Sequence, residues 1–246
     1  MPKDPASRNA PDSRQPSRQR ALNRKPQPAR AKLSRKVIIR AALRLIDENG
    51  ADALNMRDLG TALGASTMSV YRHFRNKAEL LDAVVDRVID GLVSEIPERS
   101  WQAEARVIAL RVRSAILVHP HLAEFMGREL RRSAVSLRVN AEVIDRLRAS
   151  GVPDRFLSET FWALASYANG YALLEAQALK HGRTQSTLKR RQQRLRKFIG
   201  ILEAVDDIPK SSIVPAASVL SRPLDEDQFL FGLDCLIQGL ERKFRS

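Results

Sequence analysis

One cysteine, Cys235, among 246 residues leaves nothing to pair in an internal disulfide and no cysteine set for a zinc site, which fits a chain kept in a reducing compartment. No apolar run approaches the roughly 18 residues that span a bilayer, and the N-terminus lacks the apolar core of a secretory signal. The expectation is a soluble cytoplasmic chain with no membrane partner. Catalytic signatures are missing too: there is no glycine-rich phosphate loop, no serine-nucleophile motif and no metal-ligand spacing. "HPHLAE" puts His119, His121 and Glu124 close together, but Pro120 breaks any helix between the histidines, so the segment reads as a polar connector. These absences point away from an enzyme, a resident metal and a cofactor. Alternating runs bounded by turn signals are also lacking, which leaves an all-α fold.

Acidic residues are scarce relative to basic ones, 28 against 42, for a formal net charge of +14. Residues 1–33 hold nine Lys/Arg and two Asp, and residues 181–198 hold seven Lys/Arg and no acid, so these two segments carry the whole excess. A balance of this sign calls for a polyanionic partner, either nucleic acid or an anionic membrane surface. Residues 1–33 also contain six of the twelve prolines and almost nothing apolar, a composition that buries too little surface to offset its ordering entropy. A disordered basic arm is expected there.

From Ser34 the apolar period becomes helical. Ser34 is positioned to cap a first helix with Ile38, Ala42, Leu45 and Ile46 on one face, ending at Gly50. Asn55 caps a short second helix carrying Leu59, Ala62 and Leu63, Ser66 caps a third running to about Phe74, and Asn76 with Glu79 opens a fourth with an apolar stripe from Leu80 to Leu92. Further helices are expected over Trp101–Val118, Leu122–Leu130, Val135–Ala149 and Asp154–Lys180. An Arg-rich helix follows Gly182, with Leu188, Leu195, Phe198, Ile199 and Leu202 inside. "IPKSSIVPAASVLSRP" reads as a connector to a last helix ending at Lys243.

Two short helices joined by a tight turn at Gly64 have the pattern of a helix-turn-helix, whose second helix enters the major groove of DNA. The polar face of that second helix presents Thr67, Met68, Ser69, Arg72 and His73, while Val70 and Phe74 point to the core. A stretch this polar and basic makes sense if DNA covers it. Lys77 lies in the first turn of the next helix, where exposed amides and the helix dipole favour a phosphate.

"VIIRAALRLIDENGADALNMRDLGTALGASTMSVYRHFRNKAELLDAV" resembles the DNA-binding region of the TetR family of bacterial repressors, continuously over about Arg35 to Asp86. "DQFLFGLDCLIQGLERKF" resembles the last helix of the tetracycline-repressor subgroup, and "WQAEARVIALRVRSAILVHP" does so more loosely. The resemblance implies a basic arm over 1–33, a DNA-binding domain over 34–80 and a helical effector-binding and dimerisation domain over 81–246. It implies that Arg57, Thr67, Met68, Ser69 and Arg72 face bases and that Tyr71, His73 and Lys77 hold phosphates. The competing reading packs Tyr71 and His73 into the small domain's core.

By the same resemblance the long helix before residue 180 and the last helix form a four-helix bundle with a second copy. Phe161, Leu164, Phe229, Leu233, Leu236, Ile237 and Leu240 are its candidate contacts, and Cys235 is a small buried hydrophobe. Gly232 and Gly239 suit close helix approach. A homodimer would read an inverted-repeat operator and release it on binding a small effector. Candidate pocket residues, chosen for polar or aromatic tips on apolar faces, are Phe125, Met126, Trp162, Tyr167, Asn169, Tyr171 and Glu175. In the tetracycline-binding members a histidine after the fifth helix holds the magnesium that accompanies the drug. Gapless correspondence puts Met126 there, and a thioether does not suit a hard cation. Glu175 falls near another acidic position of that site but makes no metal site alone, so tetracycline is not the expected effector. The alternative function is a basic architectural or nonspecific nucleic-acid binder, with affinity carried by the arm and the Arg-rich helix.

Overall fold

A computed structural model describes residues 33–96, 100–126, 133–180 and 188–246. The expected arm lies outside them except for Leu33, as do residues 127–130 of the helix expected over Leu122–Leu130. Helices α1 (Arg35–Asn49), α2 (Met56–Ala62), α3 (Thr67–Tyr71) and α4 (Lys77–Ile89) come first, then α5 (Trp101–Val118), α6 (Ala123–Met126), α7 (Ala134–Ala149) and α8 (Leu157–Lys180). The chain ends in α9 (Leu188–Glu203), α10 (Lys210–Leu220) and α11 (Glu226–Phe244). Among the described residues there is no strand, and the fold is all-α.

Local chemistry sets the start of each early helix. Ser34, Asn55, Ser66 and Asn76 have extended backbones, and each side chain accepts the amide N–H three residues on. Burial then fixes their orientation. Ile38, Ala41, Ala42 and Ile46 of α1 are buried, as are Leu59 of α2, Val70 of α3, Phe74 just after it, and Leu80 and Val84 of α4. Leu45 is only partly buried and Ala62 is exposed, so the expected apolar faces hold for some residues and not for these. The boundary expected at residue 80 falls inside α4, which is continuous from Lys77 to Ile89.

The larger core is built on α5 and α8. Ala105 and Ala109 of α5 lie among Leu164 and Ala168 of α8 and Phe229, Leu233 and Ile237 of α11, and the small side chains let the helix backbones approach closely. Tyr167 and Tyr171 of α8 tie α11 down through its main chain. The Tyr167 hydroxyl donates to the Phe229 carbonyl at 2.7 Å, and that of Tyr171 donates to the Asp225 carbonyl at 2.9 Å. Burial, eased by its bond to the Asp225 backbone, pushes the Tyr171 phenol up to about 12.

The segment expected as a connector is helical instead over Lys210–Leu220, although Pro215 interrupts its amide ladder. Proline inside a helix removes one hydrogen bond and costs about 3 kcal/mol. Here Ile213, Ala217 and Ser221 recur every four residues and bury one face, which outweighs the lost amide. In α9, Leu195, Phe198, Ile199 and Leu202 are partly buried while Arg196 and Lys197 are exposed.

Candidate nucleic-acid interface and ligand cavity

The turn between α2 and α3 is specified by two glycines. Gly64 sits at φ +60, the left-handed conformation, and lets Ala65 N–H reach the Gly60 carbonyl at 2.9 Å while Gly64 N–H reaches Thr61 at 3.0 Å. Gly60 is packed under this turn: a Cβ there would lie 3.1 Å from the Ala65 carbonyl and 3.2 Å from the Thr67 amide. The start of α3 is thereby clamped onto α2.

From that clamp α3 turns one face outward. Met68 is 72% exposed and Tyr71 44% exposed, far more than side chains of their size show in a core. Val70 and Phe74 are fully inside. Between them run polar groups that engage one another: the Ser66 and Ser69 hydroxyls lie 2.9 Å apart, and Arg72 donates to Ser69 at 3.0 Å. Arg72 and, on α2, Arg57 are exposed; Thr67, Ser69 and His73 are half-buried. The eight residues expected at DNA thus lie in α2, in α3 and the two residues after it, and at the start of α4; α3 ends at Tyr71, short of the expected Phe74.

Further contacts hold the surface in place. Arg35 stacks its guanidinium 4.1 Å above the Phe74 ring, donates to the His73 carbonyl at 2.8 Å and pairs with Glu79 at 3.4 Å. Lys77 donates to the Asp52 carbonyl at 2.9 Å; a carbonyl takes one of its three protons. At the head of α4, Asn76 accepts Glu79 N–H, and the Glu79 carboxylate accepts Arg75 N–H at 2.9 Å, which holds the carboxyl below its ordinary range. Glu79 therefore reaches the amide before the cap, one residue earlier than a capping box requires.

A cavity of about 1210 Å³ lies where the end of α4 meets α5, α7 and α8. Ile89 and Leu92 close it from the α4 side, Ile108 and Val112 from α5, and Leu137, Asn140 and Ile144 from α7, with α8 as the remaining wall. Of the residues expected in a pocket, Met126, Trp162 and Asn169 line it. Phe125, Tyr167, Tyr171 and Glu175 are not among its lining residues. The two tyrosines face α11. Glu175 forms a bidentate pair with Arg113, both contacts at 2.8 Å, and Arg113 also binds Glu226 at 2.7 Å. Burial pulls the Arg113 guanidinium down, but hydrogen bonds and charge from Glu175 and Glu226 more than reverse this and leave it above its ordinary value.

The donor set around the cavity does not fit a magnesium ion. Met126 offers sulfur, Glu175 is engaged by Arg113, and among the described residues no group of three or more His, Cys, Asp or Glu is close enough to hold a metal. His119 instead bonds Asp47 of α1 through Nδ1 at 2.9 Å, and His121 packs near Gly50.

The residues expected at a dimer interface divide. Leu164, Phe229, Leu233 and Ile237 are buried in the chain's own core, Leu236 and Leu240 are partly buried against it, and Phe161 lines the cavity. Trp162, Leu174, Phe231 and Cys235 are exposed on α8 and α11 in the single chain; the burial expected of Cys235 was in the bundle with a second copy. Sequence reasoning missed Arg113, although its spacing with Ala105, Ala109 and Ile116 puts a cation on the buried stripe of α5. It also missed the α7 wall of the cavity.

A helix-turn-helix with an exposed second helix, joined by α4 to a helical domain with a large cavity, defines a DNA-binding regulator with a ligand-binding domain. The chain matches the family model of bacterial regulatory proteins of the tetR family over residues 38–84 and that of the tetracyclin repressor-like C-terminal domain over residues 95–244. It belongs to the TetR family of transcriptional regulators. It is 26% identical over 210 residues to the HTH-type transcriptional repressor DrrR1 of Streptomyces coeruleorubidus, covering 83% of this chain and 76% of that protein. It is 27% identical over 215 residues to the class D tetracycline repressor of Escherichia coli, covering 86% and 90%. Among solved structures it resembles the TetR family protein ActR of Streptomyces coelicolor in complex with actinorhodin, with TM-score 0.70, 25% identity and coverage of 88% and 100%. No helix among the described residues is long and apolar enough to cross a membrane.

Proposed function

We propose that the protein is a ligand-responsive repressor that binds an inverted-repeat operator as a homodimer and is released by a small-molecule effector. One observation carries this reading: α4 begins beside the exposed α3 and ends as a wall of the cavity. A ligand that prefers one position of Ile89 and Leu92 changes the placement of the reading helix with the same free energy. ActR, solved with actinorhodin, and the curated repressors support it by likeness.

In this reading Arg57, Thr67, Met68, Ser69 and Arg72 face bases, and Tyr71, His73 and Lys77 face phosphates. Residues 1–33 act as an arm on the DNA backbone, 34–80 as the reading head, and 81–246 as the effector and dimer domain. The effector meets Met126, Trp162 and Asn169. Leu174, Phe231 and Cys235, backed by the buried Leu233 and Ile237, form the α8–α11 face that a second copy covers. The protein works in the bacterial cytoplasm and sits on the nucleoid when bound.

The test is selection of bound duplexes from random DNA, with the winner compared with scrambled DNA across a salt series. An inverted repeat bound by two chains about a thousandfold or more tighter than scrambled DNA supports the reading. No enriched sequence, with one steep salt slope for all duplexes, would instead establish the architectural binder.

A further inference from the structure

We infer that the cavity takes an uncharged, largely apolar, multi-ring ligand and excludes metal chelates and ionised compounds. This deepens the ligand-responsive reading and rests on it. Among the described residues none that lines the cavity carries a charge, and the polar ones are three serines and two asparagines. An ionised group entering the cavity loses water without gaining a countercharge from the described lining, whereas rings gain by burial against α5, α7 and α8. At about 1210 Å³ the space exceeds the roughly 300–1,000 Å³ typical of small-molecule pockets, so a ligand of several rings fits.

The chemistry within reach favours the same class. Phe161 and Trp162 stand edge to face with ring centroids 5.5 Å apart, and half-exposed Trp162 presents an aromatic surface at the cavity wall. Asn140 supplies a neutral amide, and Asn169, whose N–H donates to the Ala165 carbonyl at 2.8 Å, keeps its oxygen free to accept from a ligand hydroxyl. Glu175 is removed from any metal by Arg113: taking it as a ligand would leave a buried guanidinium without its main counterion. Met126 contributes only sulfur.

Three fluorescent probes of nearly equal shape test this on the full chain: 1-pyrenemethanol, 1-pyrenecarboxylate and 1-pyrenemethylammonium. Energy transfer from tryptophan reports binding, and the Trp162→Phe variant, which retains buried Trp101, shows how much comes from the cavity. The neutral probe is expected to bind once per chain and the two ions at least about tenfold more weakly. Ala165→Phe is expected to weaken the neutral probe by about tenfold by filling the cavity. An unchanged circular dichroism melt establishes that this variant is folded; if it melts early, Ser166→Phe on the same wall replaces it. Tetracycline titrated with and without magnesium is expected to show no gain from the metal.

Equal binding of either ion, a magnesium-dependent gain, or no binding of any pyrene overturns the inference. The selected operator duplex in the same cuvette separates this from the parent reading. A neutral probe that occupies the cavity without releasing DNA leaves the ligand class standing and removes the repressor mechanism. An ionised compound that releases DNA through the cavity does the reverse.

Discussion

Replacing Arg113 by Met tests the most buried electrostatic feature of the effector domain. Arg113 and Glu175 are both nearly inaccessible, joined by two 2.8 Å hydrogen bonds 62 residues apart in sequence, while Glu226, the second partner, is 60% exposed. Removing the cation leaves the Glu175 carboxylate in the interior, and breaking such a pair costs about 3–5 kcal/mol. For a chain of this size about 1 kcal/mol shifts the melting temperature by about 2–4 °C, so R113M is expected to melt roughly 6–20 °C earlier at fixed protein concentration. Removing the anion as well, in R113M/E175L, is expected to restore most of the loss, because an apolar pair of similar volume is often as good as a buried ion pair. Water screens Glu226, so E226Q is expected to cost less than about 1 kcal/mol.

Urea unfolding of wild type and the three variants at one pH measures these losses. A double variant as unstable as R113M, or an E226Q loss equal to that of R113M, would refute the assignment of the buried pair as the main interaction.

Three further outcomes are expected. Gly60→Ala pushes a Cβ against the Ala65 carbonyl and Thr67 amide, and at an overpacking cost on the order of 1–3 kcal/mol it should abolish operator binding while pyrene binding in the cavity survives. Gly232→Ala brings a Cβ to the tip of Tyr167, which must leave the Phe229 carbonyl; a loss of about 1 kcal/mol should be largely recovered in G232A/Y167F, read by thermal melts. Lys77→Ala should weaken all duplexes alike and lower the salt slope by about 1, whereas Arg72→Ala should change base preference in a repeated selection; equal effects from both would exchange or erase their roles.

The helix starts of the reading head were legible because a cap is a local event. Ser34, Asn55, Ser66 and Asn76 each need only an amide three residues on, and that amide is present in any context that lets the helix form. The same holds for the split between Val70 and Phe74 inside and Met68 outside, since five residues of α3 offer one apolar face. α10 was illegible for the opposite reason: one proline and three serines inside it argue against a helix locally, and only the burial of Ile213 and Ala217 in the tertiary fold reverses that preference.

Periodicity along α8 shows which residues share a face but not what that face meets. Trp162 and Asn169 lie on the side that walls the cavity, whereas Tyr171 and Glu175 lie on the side that meets Asp225 and Arg113, residues 54 and 62 positions away. Both sides mix apolar bodies with polar tips, so composition cannot separate a ligand wall from a helix seam. The partner decides it: a polar tip that finds a backbone carbonyl or a guanidinium within the chain becomes part of the scaffold, and one that finds open space is available to a ligand. Asn169 keeps its oxygen beside the cavity while both Glu175 oxygens are taken by Arg113, so the acceptors among the described lining of the cavity are neutral even though a carboxylate lies on the same helix.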